Sequence, residues 1–222
     1  MQSVPMPLWE KPVLRKAAGD TLRPGGFFVT DRAAESIGVV PGWRVLDVGS
    51  GLGATVGRLR SRFGAEAWGI EPSGGQIGRT VDPSGLVQAC GDRLPFRSAV
   101  FDAVFCECVF SLFEDKPGGL REFHRVLRPG GHLVLADLFS PEEGLAQGAS
   151  CADRAKPLSA VRGMAEAHGF RVHVTEDHSR HLRELAARLI FAQDGEDRAC
   201  CCDRRLGYYL MLAQKQEGSH VG

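Results

Sequence analysis

Apolar and polar positions change period repeatedly along the chain, and each change marks a predicted element. Arg44 to Val48 is a short apolar run, rich in β-branched residues and carrying Asp47 near its end, the pattern of a buried parallel strand. Gly49, Gly51 and Gly53 follow at alternate positions. From Thr55 to Phe63 the spacing becomes helical, with Val56, Leu59 and Phe63 on one side and Gly64 as the stop. Further strands are predicted at Ala65 to Ile70, ending on Glu71, at Gly85 to Ala89, at Phe101 to Cys106 and at His132 to Leu138. Asp115 can cap a helix with Leu120, Phe123 and Leu127 on one face, ended by Pro129, Gly130 and Gly131. A helix over Ser159 to His168 leads to a sixth strand, Phe170 to Thr175, and the last strand is Tyr208 to Ala213. Between those two strands about thirty residues intervene. They include an amphipathic helix with Leu182, Leu185, Ala186 and Leu189 on its apolar side.

The ends read differently. Residues 1 to 30 are rich in proline and glycine, with a short helix near Val13 to Ala18, and Thr30 is placed to cap a helix from Asp31 to Ile37. Residues 140 to 158 are small and polar and read as a loop. The 222 residues suffice for one α/β domain, with residues 1–40 as an arm and 178–205 as an insertion before the last strand.

Composition narrows the partners. Hydrophobic residues make up 43% and charged residues 24%, with 27 basic and 27 acidic side chains. No basic run interleaves with aromatics, so neither nucleic acid nor an anionic membrane is an expected partner. The first twenty residues lack the apolar core of a signal peptide, and no stretch reaches transmembrane length. Seven cysteines, three of them adjacent at Cys200, Cys201 and Cys202, do not form a secreted disulfide pattern, so the cytoplasm is the expected compartment.

The strand, glycine loop and helix at 44–63 offer free N–H groups at a helix N-terminus and a bare backbone that a ligand can approach. Gly49, Gly51 and Ala54 satisfy the dinucleotide pattern G-x-G-x-x-G/A. The same stretch satisfies D-x-G-x-G-x-G through Asp47, Gly49, Gly51 and Gly53. In this second pattern the chain resembles the class I (seven-β-strand) S-adenosylmethionine-dependent methyltransferases, near the ubiquinone/menaquinone methyltransferase group. A merely structural glycine turn is the competing explanation. The resemblance extends through LPF at 94–96, FD at 101–102 and LRPGG at 127–131, a set that a dinucleotide dehydrogenase gives no reason for. It implies a Rossmann-like, doubly wound seven-stranded α/β sheet of order 3-2-1-4-5-7-6, with the last strand antiparallel.

The resemblance also implies roles. The loop Gly49, Ser50, Gly51 and Gly53 would cradle the methionine end of S-adenosylmethionine, and Asp47 would hold its amino group. Glu71 stands 22 positions beyond Gly49 and, with Pro72, would receive the ribose, since one carboxylate accepts from both hydroxyls of a vicinal diol. An incidental surface acid is the alternative. Ser73 and Gln76 form an S-x-x-Q capping box behind it. In the segment ACGDRLPF the adenine partner is Cys90 or, with a two-residue shift, Asp92, with Gly91 offering its backbone N–H. The backbone of Cys106 would face the methionine end and Glu107 the incoming substrate. The arm would fold over the cofactor, with Phe27, Phe28 and Thr30 bordering the site, or else serve only as packing.

A sulfonium methyl is already activated, so a general base is needed only if the acceptor must lose a proton. Glu107 is the candidate base, or the group that recognises a cationic acceptor, or an acid that only hydrogen-bonds the loop. Cys106, Cys108, Cys151 and Cys200 to Cys202 could hold a thiophilic metalloid acceptor, as in arsenite methyltransferases, but free cysteines at a strand end also pack as small hydrophobes. Glu176, Asp177, His178 and His181 have ligand-like spacing, but an acid at a helix start explains Asp177, and no metal is expected. The functions left open are methyl transfer to an unidentified small molecule, a nicotinamide-dependent oxidoreductase, and a catalytically idle cofactor-binding subunit. The insertion, together with residues 140–158, is expected to form a lid over the acceptor.

Overall fold

The computed structural model describes residues 7–141, 151–192 and 205–217. Its centre is a seven-stranded sheet of order β3-β2-β1-β4-β5-β7-β6. The strands are β1 (Arg44–Val48), β2 (Glu66–Glu71), β3 (Leu86–Gln88), β4 (Phe101–Glu107), β5 (Leu127–Phe139), β6 (Phe170–Asp177) and β7 (Gly207–Lys215). The first five pair in parallel, and β7 runs antiparallel to both β5 and β6. This is the expected order and the expected single reversed strand.

Alternation along each strand feeds two cores. Val45, Ala103, Phe105, Val134 and Ala136 pack on one face. Leu46, Val48, Val104, Cys106, Leu133 and Leu135 pack on the other. Helices cover both faces, so the central strands are apolar on both sides, and all seven residues of β4 are buried. The helices are α1 (Pro12–Ala18), α2 (Phe27–Ile37), α3 (Ala54–Phe63), α4 (Gly74–Ile77), α5 (Lys116–Val126), α6 (Leu158–Ala167) and α7 (Ser179–Ala192). No helix among the described residues is long and apolar enough to cross a membrane.

Several local expectations shift. α2 starts at Phe27 behind Gly26, so Thr30 is not its cap but lies inside it, fully buried. Val29 is buried on the same helical face as Thr30, Ala33 and Ala34, and that packing extends the helix upstream, while Phe27 and Phe28 are exposed. α5 is capped by Asp115, which accepts from the Gly118 N–H, but it ends at Val126, and β5 begins at Leu127, ahead of the Pro-Gly-Gly turn. Half of the S-x-x-Q box forms. The Ser73 hydroxyl accepts from the Gln76 N–H, while the Gln76 amide donates to the Trp9 carbonyl and ties the arm to α4. Asp177 does mark the start of α7, accepting from the Ser179 N–H at 2.8 Å.

The stripe on α7 covers something other than the sheet edge beside Glu107. Leu185 and Leu189 pack on Leu14 and Ala17 of α1, joined by Leu8, Trp9 and Leu22, while Leu182 reaches the sheet core. Arm and insertion thus bury each other. Cys200 to Cys202 and the middle of the 140–158 stretch lie outside the described residues.

Candidate functional site

Strand order reverses where β2 and β4 flank β1, and ligands of doubly wound sheets bind at the C-terminal ends of the strands there. A cavity of about 400 Å³ opens at that point. Its floor is the turn after β1. Gly49 and Ser50 donate their N–H groups to the Ile70 carbonyl at 2.8 and 2.9 Å, which wraps the turn over the end of β2. Gly49, Gly51 and Gly53 all take positive φ, 75°, 52° and 77°, which side chains rarely tolerate. A Cβ at Gly49 would run into Val109. One at Gly51 would meet no protein atom closer than Leu22 Cδ1 at 3.9 Å, because it would project into the cavity.

Asp47 stands under this turn, 3% exposed, and no side-chain hydrogen bond among the described residues reaches its carboxylate. Burial, with the nearby charge of Glu107, pushes its pKa up to about 8, against the opposing pull of Arg23. The Ser50 hydroxyl is likewise buried without a partner. Glu71 uses Oε2 to accept from the Gly51 N–H at 3.0 Å and Oε1 to accept from the Ser73 N–H at 2.9 Å. Each oxygen keeps a lone pair for a further donor. Burial raises the Glu71 pKa, with the two backbone N–H groups pulling the other way.

Of the residues singled out in the sequence, Asp47, Gly49, Ser50, Gly51, Glu71, Pro72, Cys90, Gly91, Asp92 and Glu107 all line this cavity. Two do not. Gly53 faces Leu86 and Thr80 behind the turn, and Cys106 is buried in the sheet core, where it packs as a hydrophobe. Cys108 takes its place on the wall, with a positive φ of 61°. Gly91 is needed for space, since a Cβ there would overlap the Phe113 ring.

Glu107 has partners that its position in the sequence did not announce. Its Oε1 accepts from the Thr30 hydroxyl at 3.0 Å, and its Oε2 accepts from the Thr55 hydroxyl at 3.0 Å and pairs with Arg23 Nη2 at 2.8 Å. Arg23, Leu22 and Trp9 come from the arm, Leu112 and Phe113 follow β4, and Arg154 precedes α6. None of these belongs to a motif. Only the proline-glycine break after Arg23 hinted at a turn there.

Five carboxylate side chains line the cavity (Asp20, Asp47, Glu71, Asp92 and Glu107) against two guanidiniums, Arg23 and Arg154. Such a site favours a cation and resists a pyrophosphate.

A family model described as "Methyltransferase domain" matches residues 46–135, from β1 through the glycine turn to β5. The stretch from β1 to β5 is thus similar to a methyltransferase domain. A demethylmenaquinone methyltransferase of Deinococcus radiodurans is 38% identical to it over 121 residues, 51% of this chain and 50% of that one. The chain spans about a third to a half of the length of the curated relatives it matches. Among solved structures, the [4+2]-cyclase SpnF superposes on this chain with a TM-score of 0.72 at 25% identity, covering 86% of this chain and 81% of that one. Haemonchus contortus phosphoethanolamine N-methyltransferase 2, in complex with phosphomonomethylethanolamine and S-adenosylhomocysteine, gives 0.73 at 18% identity over 92% of this chain and 56% of its own, a likeness of fold.

Proposed function

We propose that the protein is an S-adenosylmethionine-dependent methyltransferase that acts on a small molecule. The observation that carries this reading is Asp47, a buried acid without a hydrogen-bond donor, set under a glycine turn in a cavity where acids outnumber bases. The fold alone does not decide it, since a neighbour of equal likeness is named a cyclase. The residues fit the cofactor. Asp47 offers a charge to an ammonium, Ser50 a free hydroxyl to a carboxylate, Gly51 open space to the backbone, and Glu71 two lone pairs to a ribose diol. Cys90 and Asp92 both stand where the adenine edge would lie, the segment in which the family keeps its amino partner.

When bound, S-adenosylmethionine supplies a methyl group on a sulfonium, already activated for attack. The chain must then place an acceptor in line and keep water out. Cys108, Val109, Leu112, Phe113 and Arg154 form the wall beyond Glu107, mostly apolar with one cation at its rim, and this is where we place the acceptor. With three donors on its carboxylate, Glu107 serves as the anchor of the arm rather than as a free base. Relatives named for demethylmenaquinone and phosphoethanolamine support a small-molecule acceptor without choosing one.

Thermal-shift measurements with S-adenosylhomocysteine and with NAD+ test the reading. A rise in melting temperature with the first and none with the second is expected. Stabilisation by NAD+ alone would overturn it.

A further inference from the structure

Arg154 lines the cavity on the wall that Leu112 and Phe113 form, and a third of its side chain is exposed. Its backbone is placed without help from that side chain. Ala152 and Ala155 are buried in the core, and Lys156 bridges Phe139 at the end of β5, its carbonyl accepting from the Ser140 N–H at 3.1 Å. The guanidinium reaches the short 3-10 turn Phe110–Leu112 that follows β4, where Nη1 donates to the Leu112 carbonyl at 3.1 Å.

That turn is already fastened from two sides. Lys116 Nζ donates to the Ser111 and Phe113 carbonyls at 2.7 and 2.9 Å. Asp137 accepts from the Ser111 N–H at 2.7 Å and from its hydroxyl at 3.0 Å. The Leu112 carbonyl needs a donor, but not a charge. Arg154 Nη2 stands 3.6 Å from Glu114, whose side chain is 87% exposed, so water screens that pair. Among the described residues no hydrogen bond reaches Nε or Nη2. Together they form the flat edge of a guanidinium that matches two oxygens of one anion.

The acids of the cavity do not answer this charge. Asp47, Glu71 and Asp92 face the cofactor in the reading above, and Glu107 is paired with Arg23. Asp20 accepts from Arg15 Nε at 2.8 Å near the surface. Arg154 is the cation left to the acceptor, beside the apolar Val109, Leu112 and Phe113. We propose that the acceptor is a small organic acid, with an apolar or aromatic body against that wall and a carboxylate or phosphate on Nε and Nη2 of Arg154. Arg154 then selects the acceptor by charge, and the positive sulfonium of the cofactor pulls in the same direction. This rests on the S-adenosylmethionine reading above.

NMR titrations of the protein saturated with S-adenosylhomocysteine test it, with benzoate, phenyl phosphate, benzamide and benzylammonium as probes at neutral pH. Benzoate or phenyl phosphate should bind about tenfold or more tightly than benzamide, which has the shape of benzoate without its charge. The tighter of the two anions names the acid group. Arg154→Met should weaken that anion by about tenfold or more and leave benzamide where it was. Arg154→Lys, which keeps the charge but not the fork, should recover part of the loss. If Arg154→Met does not fold, the wild-type selectivity and Arg154→Lys decide. A structural arginine gives another pattern, in which Arg154→Met lowers the melting temperature and weakens anion and amide alike, and that result would overturn the proposal. So would equal wild-type affinity for benzoate and benzamide, a preference for benzylammonium, or no binding of either anion. Failure of S-adenosylhomocysteine itself to bind the wild type would instead remove the cofactor reading.

Discussion

The two halves of the cavity are built in opposite ways. The half floored by Gly49 to Gly51 and Glu71 comes from one strand, one turn, one helix and the next strand, all within residues 44–71. Its hydrogen bonds are local, such as Gly51 N–H to Glu71 and Gly49 N–H to Ile70. The other half is assembled from the arm, α2, the end of β4 and the segment ahead of α6. Its central contact, Thr30 to Glu107, spans 77 positions. The local half can hold its geometry in any protein with this β1-α3-β2 unit. The assembled half depends on the whole chain being folded, and under the proposed function it is where an acceptor would be chosen.

Variants in the two halves should therefore fail differently. Gly51→Val should abolish binding of S-adenosylhomocysteine, because its side chain would fill the cavity from a backbone at φ 52°. Circular dichroism should show the sheet intact, since the strain at one turn costs only on the order of 1–3 kcal/mol. Leu185→Ala strikes the arm and insertion instead. It removes a buried contact between α7 and α1 and should cost about 2–5 kcal/mol in denaturant unfolding while leaving the glycine turn as it is. A stability change below about 0.5 kcal/mol would mean that α1 and α7 do not cover each other in solution.

Glu71→Ala should weaken S-adenosylhomocysteine binding by about ten- to a hundredfold, as hydrogen bonds to a charged group contribute on the order of 1.5–3 kcal/mol each. A change below about twofold would place the ribose elsewhere. A separate effect is on pH dependence without ligand. Asp47 has a folded pKa near 8, above its unfolded value of 3.8, so the folded state holds a proton that the unfolded state has lost between those values. The stability this contributes is fully present below the unfolded value and is lost as pH rises towards 8. Asp137, buried and pushed up to about 7, acts in the same direction. The melting temperature of the free protein should fall from pH 5 to 8, and Asp47→Asn should flatten that fall. An unchanged slope in the variant would show that Asp47 is ionised in the free protein.

The difference between the halves also explains what the sequence could show. Asp47, the glycines and Glu71 were legible because strand, turn and helix periods fix their positions within a few residues of each other. The sheet order was expected only because the resemblance implied it, and the structure has that order. Thr30 was misplaced as a cap because a threonine ahead of a helical run carries no sign that the helix starts three residues earlier. Arg23 was missed because an arginine beside a Pro-Gly-Gly break reads as a solvent-exposed turn, and its three partners lie on separate elements. The apolar stripe of α7 was recognised, but periodicity names a face and not its partner, and α1 proved to be that partner.

The most direct test is a crystal structure of the protein with S-adenosylhomocysteine. The account predicts the ligand's amino group within about 3 Å of the Asp47 carboxylate and both ribose hydroxyls on Glu71. The Gly51 backbone should lie against the ligand's amino-acid end, and Arg23 should still be paired with Glu107. A ligand seated away from the 49–51 turn, or one whose ribose turns from Glu71, would contradict it.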